Sequence, residues 1–210
     1  MRWISPNKVT PTTGLVEPCI PTLAKRPPAG ESWIFELKWG GYRRLVRKRA
    51  DAVRIYTRRG AHWTKRFPRV VEAVRQLNAH SALIDGEGIV YDHAGMPSFD
   101  LLHSRKHDKA GSLLAFDLLE LDGAELCREP LIDRKSKLQK LLAKAKDGIE
   151  FNAHIEGDGT AIFEHVCKLG HEGIVAKQKD LAYESGRSQR WLKIKNPNSP
   201  AMKRVEDGTF

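Results

Sequence analysis

The sequence predicts an α+β fold, and three observations point to it. Short runs of β-branched and aromatic residues with partial alternation recur along the chain. Between them lie a few segments whose apolar residues repeat at helical spacing. The order in which strands and helices follow one another lacks the regular βαβ rhythm of a wound parallel sheet.

The elements follow in chain order. The first thirty residues hold Pro6, Pro11, Pro18, Pro21, Pro27 and Pro28 and read as an irregular surface arm, residues 1–30. From Trp33 the character changes. Segments 33–38, 42–48 and 52–57 read as short antiparallel strands, joined by turns at Gly40-Gly41 and near Ala50-Asp51. After Pro68, the residues Val70, Val71, Val74 and Leu77 predict a helix over 66–79. Strands return at 82–91 and 113–119, with a turn at Asp122-Gly123. Leu138, Leu141 and Leu142 place a helix over 133–145 with Asp133 as its N-cap, and a second helix over 159–169 ends at Gly170. Strands at 172–177 and 190–195 complete a main domain of residues 31–197, followed by a polar tail, 198–210.

Composition narrows the function. Forty per cent hydrophobic residues are enough for a packed interior, and no apolar stretch approaches the roughly 18 residues that cross a bilayer. No secretory leader is evident, so a cytoplasmic, non-membrane protein is expected, and separately a monomer. Cys19, Cys127 and Cys167 are too far apart for a disulfide framework or a cysteine zinc site. Lys and Arg outnumber Asp and Glu by 36 to 26, a net charge of +10 that favours polyanionic partners.

The chemistry-bearing residues sit at strand positions. Lys38 ends an apolar strand beside a glycine turn, where its amine can reach the floor of a cleft; an edge lysine before a hairpin is the plainer reading of that string alone. Gly41 allows close approach to the backbone. Asp85-Gly86-Glu87 interrupts an apolar strand, which is unfavourable in a core unless the carboxylates are paired, exposed or cation-bound. Glu172 heads the strand that ends at Lys177, and Lys193 and Lys195 share one face of the last strand, where they could hold a phosphate. Ordinary amphipathic sheet explains each of these alone and the ensemble poorly.

The segments Lys38–Arg43, Leu83–Glu87, Phe116-Asp117, Glu172–Lys177 and Trp191–Lys195 resemble, in order, motifs I, III, IIIa, IV and V of the ATP-dependent DNA ligases. The stretch Thr57-Arg58-Arg59-Gly60 through Phe67-Pro68 is similar to that of bacterial end-joining ligases. The resemblance implies a nucleotidyltransferase (ATP-grasp-like) fold, with antiparallel sheets flanking a nucleotide cleft. It implies ATP and Mg²⁺ as cofactors and nicked double-stranded DNA as substrate. Lys38 would become adenylated and pass AMP to the 5′-phosphate of the nick. Glu36, Arg43, Arg58, Glu87, Phe116, Lys177, Lys193 and Lys195 would bind the nucleotide, with Phe116 against adenine. Glu87 and Glu172 would coordinate the metal.

Two departures accompany the resemblance. Gly40 stands where the family's Lys-x-Asp-Gly pattern carries Asp, and the stretch after Lys195 is too short for the OB-fold domain that relatives use to close over the nucleotide and grip DNA. Grip is therefore expected from basic residues of this domain, Arg44, Arg47, Arg59 and Lys65 foremost, or from a partner protein. A catalytically degenerate nucleotide- or DNA-binding remnant and an RNA ligase-type nucleotidyltransferase are the alternatives.

Overall fold

The computed structural model of the chain describes residues 9–10 and 15–199. Residues 1–8, 11–14 and 200–210 lie outside the described residues, and with them most of the expected tail. The strands in chain order are β1 (Val9–Thr10), β2 (Leu15–Val16), β3 (Cys19–Leu23), β4 (Trp33–Leu37), β5 (Tyr42–Arg49), β6 (Ala52–Thr57), β7 (Ser81–Ile89), β8 (Ser112–Leu121), β9 (Ala124–Glu125), β10 (Ile149–Phe151), β11 (His154–Ile155), β12 (Gly173–Gln178) and β13 (Gly186–Lys195). The α-helices are α1 (Pro68–Arg75), α2 (Phe99–His103), α3 (Leu131–Leu142) and α4 (Gly159–Lys168).

Apart from the short β1–β2 pair, the strands form two sheets. The larger runs β10-β8-β7-β5-β6, with β9 beside β8, and the other runs β11-β4-β12-β13-β3. Most pairings are antiparallel, as expected; β10 on β8 and β3 on β13 are parallel. Alternation decides which face each sheet turns inward. On the outer face of the larger sheet, Val46, Ile55, Ile84, Ala115 and Leu118 pack with Val70 and Val74 of α1 and Leu138 and Leu142 of α3. Phe35, Ile174, Ala176 and Ile194 of the second sheet pack with Val166 of α4. Between the sheets lies a third cluster, in which Ile34, Leu45, Tyr56, Leu83, Phe116, Tyr183 and Trp191 meet.

Two irregularities in β8 shape that inner cluster. Asp85 faces Asp117 and Gly86 faces Ala115, so Phe116 is an extra residue in its strand; Leu119 is another, between the Leu83–Glu120 and Ile84–Leu118 pairs. A bulge re-aims a side chain, and both extra residues turn into the inter-sheet cluster.

Three expectations need correction. The arm is not irregular throughout, because Cys19–Leu23 pairs in parallel with Gly186–Lys193 at the edge of the second sheet. Pro21 is tolerated there because an edge strand can leave its missing N–H unused. Asp133 is not an N-cap: α3 begins at Leu131, after Pro130. The amides of Leu131 and Ile132 donate to the carbonyls of Leu181 and Lys179, so a tertiary contact replaces a side-chain cap. The helix after Pro68 is shorter than expected, ending at Arg75. Among the described residues, no helix is long and apolar enough to cross a membrane.

Candidate active site

A cleft of about 730 Å³ opens between the sheets, in the range of small-molecule sites. Strand register explains its floor. Glu36 lies across from Val175, which lies across from Lys193, and in the next row Ile34, Lys177 and Trp191 align. Residues paired this way share a face, so motif residues more than a hundred positions apart in sequence project together. The opposing wall comes from Tyr42, Arg43 and Arg44 of β5, Glu87 of β7 and Phe116.

Lys38 stands just past β4, with its amide donating to the carbonyl of Gly173 at 2.9 Å. Its Nζ donates to Glu172 Oε2 at 2.5 Å, and both side chains are about one-fifth exposed. The cations around the cleft affect one another. Burial, followed by repulsion from Lys195, Lys38, Arg187 and Arg58, holds the Lys193 amine below the usual lysine range. Lys195, opposite Gly173, is exposed and is not part of the cleft lining.

Glu36 has a different setting from the one expected of a nucleotide ligand. It is 3% exposed and accepts from Lys135 Nζ and Lys177 Nζ, each at 2.7 Å, and from Asn152 Nδ2 at 3.2 Å. Burial pushes its carboxyl pKa upward, but Lys135 and Lys177 outweigh that and hold it below the usual range. Lys177 is pushed down to about 8, mainly by burial, with Glu36 opposing and Lys135 assisting. Its amine lies 4.2 Å from the Phe116 ring centroid and 4.0 Å from that of Trp191. Asn152 also accepts from Trp39 Nε1 at 2.9 Å, tying the residue after Lys38 to the same network.

Arg43 is likewise committed. It donates to both oxygens of fully buried Asp85, at 2.5 and 2.6 Å, and its guanidinium carbon lies 4.4 Å from the Phe116 centroid. Glu87, opposite Arg43 in the sheet, is partly exposed in the cleft, and no hydrogen bond to its carboxylate is found among the described residues. Burial raises its pKa to about 7 against the pull of Arg43, Lys38 and Arg44.

The basic side chains Arg44, Arg47 and Lys48 of the hairpin are largely drawn into the protein. Arg44 is 3% exposed and sits 4.3 Å from the Trp63 centroid, with burial pushing its pKa down to about 10. Arg47 lies 3.8 Å from Glu120, and Lys48 is buried with its amine on the Arg75 carbonyl. Sheet pairing on both sides of β5 draws these stems into the protein, where Arg44 lies against aromatic rings with Nε and Nη2 lacking a hydrogen-bond partner among the described residues, Arg47 faces a carboxylate and Lys48 a carbonyl. Arg58, Arg59 and Lys65 are exposed. The first two project from the tight turn in which the Gly60 amide bonds back to the Thr57 carbonyl, and they line the cleft mouth. Gly41 lines the cleft, and packing there already requires glycine, because a Cβ would lie 2.4 Å from the Gly88 carbonyl oxygen.

The structure therefore brings Lys38, Glu36, Arg43, Arg44, Arg58, Arg59, Glu87, Phe116, Lys177 and Lys193 into one cleft and leaves Glu172, Lys195, Arg47 and Lys65 outside its lining. Asn152 and Ile20 line it without any sequence signal that singles them out, and Trp63 lies within the stretch similar to end-joining ligases. Trp191 also lines it, from within the segment that resembles motif V.

Comparison with known proteins bears on this geometry. The family model described as ATP dependent DNA ligase domain matches residues 20–195. The multifunctional non-homologous end joining protein LigD of Pseudomonas aeruginosa is 34% identical over 190 residues, covering 89% of this chain and 22% of that protein. The multifunctional non-homologous end joining DNA repair protein LigD of Mycobacterium tuberculosis is 38% identical over 168 residues, covering 80% and 22%. Among solved structures, the ligase domain from M. tuberculosis LigD matches with a TM-score of 0.75 and 33% identity, covering 85% of this chain and 60% of that one. The chain spans about a fifth of the length of these curated relatives. Its two sheets around a cleft are the fold of DNA ligase nucleotidyltransferase domains.

Proposed function

The chain belongs to the ATP-dependent DNA ligase family, and from that premise we propose that it carries out nucleotidyl transfer from ATP through Lys38, in the service of sealing nicked double-stranded DNA. The observation that carries the reading is the position of the Lys38 amine, on a cleft floor shared with Lys193 and Lys177.

The chemistry is balanced. Neutral Lys38 Nζ attacks the α-phosphorus of ATP; an N–P bond forms, the bond to the bridging oxygen breaks, pyrophosphate leaves and the amine gives up a proton. AMP then moves to the 5′-phosphate at a nick, and a 3′-hydroxyl displaces it. A lysine is a nucleophile only when neutral, and the cations around Lys38 draw phosphate oxygens toward the floor. Lys177 and Lys193 hold those oxygens, and Arg58 at the mouth reaches the outer phosphates or the nick. Ile20, Val175 and Trp191 offer an apolar surface to the base, with Phe116 behind Lys177 and Arg43. The settings of Glu36 and Arg43 make them supports of this surface: Glu36 holds Lys177, and Arg43 holds Asp85.

Mg²⁺ fits this donor set through Glu87, whose carboxylate faces the cleft without a hydrogen bond among the described residues, better than through Glu172, which Lys38 already engages. One carboxylate plus ATP phosphates suffices for this cation, so it does not conflict that no group of three or more potential ligands occurs among the described residues. Bound there, it would neutralise charge on the phosphates. Arg58, Arg59 and Lys65 are the groups proposed to meet the DNA backbone.

The test is incubation with ATP labelled at the α-phosphate and Mg²⁺, followed by denaturation. Label retained on the wild-type chain and absent from Lys38→Ala is expected. Label on both would move the nucleophile elsewhere, and label on neither would favour a nucleotide- or DNA-binding remnant.

A further inference from the structure

We infer that Gly40 and Glu172 work as one unit, in which Glu172 positions the Lys38 amine and Gly40 exists to leave room for it. The inference rests on Lys38 being the nucleophile and deepens that reading.

Glu172 Oε2 accepts from Lys38 Nζ at 2.5 Å, while its other oxygen, Oε1, occupies the place of a side chain at position 40: a Cβ built on Gly40 would lie 2.1 Å from Oε1 and 3.0 Å from Cδ. Any residue other than glycine would therefore displace the carboxylate from the position in which it holds the lysine. Relieving that clash is sterically easy, because a carboxylate end can rotate away, but the rotation costs the contact with Lys38. The consequence falls on the site and not on the fold.

The backbone that carries Glu172 is itself fixed. Its carbonyl accepts from the Asn196 amide at 2.9 Å, and the next residue, Gly173, has φ of +133° and accepts from the Lys38 amide. A Cβ on Gly173 would lie 2.0 Å from the Ile194 carbonyl oxygen, so the chain passes there too close to β13 for any side chain. The base of Glu172 is thus locked to the same strand edge that carries Lys38. With Gly40 at the Asp position of the Lys-x-Asp-Gly pattern, the carboxylate beside the lysine comes from position 172, at the head of the segment that resembles motif IV.

The experiment compares Gly40→Ala, Glu172→Ala, Gly40→Asp and the double variant Gly40→Asp/Glu172→Ala with wild type. Single-turnover formation of the lysyl-AMP bond is followed over a range of ATP concentrations. Gly40→Ala and Glu172→Ala are expected to lower the maximal rate by about tenfold or more, with a much smaller change in the ATP concentration at half-maximal rate, as for a group that acts on the reacting amine. The double variant, with its carboxylate back at position 40, is expected to be at least about tenfold faster than Glu172→Ala, a non-additivity that independent sites would not show. Wild-type rates in Gly40→Ala, or a double variant no faster than Glu172→Ala, would overturn the proposal. A crystal structure of Gly40→Ala decides it separately from activity. The Glu172 carboxylate should be found withdrawn from Lys38 Nζ, and finding it still within hydrogen-bond distance sinks the idea. If wild type forms no adenylate, the proposed function has failed, and that structure still tests the Gly40–Glu172 relation.

Discussion

Glu36 and Glu172 both hold lysines on the same sheet, yet they belong to different regimes. Glu36, Lys135 and Lys177 are at most 2% exposed at their side chains and are joined by contacts of 2.7 Å. Lys38 and Glu172 pair at 2.5 Å with side chains 22% and 19% exposed. In the first cluster, desolvation makes every charge depend on its partners, so losing one strands the others. In the second, solvent reaches the pair, and the contact contributes little to stability and can be exchanged for a substrate. What separates wall from working group is access to water, and residue type alone does not reveal it.

The contrast can be broken at several points. Removing the amine in Lys38→Ala should abolish adenylate formation, with a melting temperature close to wild type. A large drop in melting temperature would put Lys38 in the structural class. Glu36→Ala should do the reverse. Leaving Lys135 and Lys177 buried without their carboxylate costs about 3–5 kcal/mol, read in urea or thermal unfolding. An unfolding midpoint equal to wild type would erase the distinction between the two clusters.

Lys177 belongs to both regimes, and pH sharpens its place. With a pKa pushed down to about 8, its amine is charged below that value and attracts phosphate, and it is neutral above it. The KM for ATP should therefore rise several-fold between about pH 7 and pH 9, on the scale of about 1–2 kcal/mol for a charge-assisted contact. Lys177→Met should bind ATP more weakly at pH 7 and lose that dependence, whereas an identical rise in the variant would assign the pH effect to another group. The smallest effect is expected at exposed Lys65. Lys65→Ala should weaken nick binding a few-fold and reduce the slope of log affinity against log salt by about one contact. An unchanged slope would remove Lys65 from the DNA face.

Local signals were readable where the physics is local. Alternation and turn residues located β4 to β8 within a few positions, because strand period and glycine punctuation act over neighbouring residues. The motif segments also converged, since antiparallel pairing of β4, β12 and β13 sets Lys193 and Lys177 in successive rows of one sheet face, with Lys38 just past the end of β4. Buried cations were not readable. Arg44, Lys48, Arg134 and Lys135 look like solvated charge in sequence, and their partners are Trp63, the Arg75 carbonyl, Asp117 and Glu36. Strand β3 was missed for a related reason: it pairs with β13, at the far end of the chain.

By itself, the sequence determined the element types, the order of the motif segments and the identity of the lysine at the cleft floor, because each depends on residues close together in the chain. Tertiary structure alone decided which charges are sealed and which face water, how a bulge turns Phe116 inward, and that the carboxylate beside Lys38 comes from position 172. Those outcomes depend on desolvation and excluded volume between segments that meet only after folding.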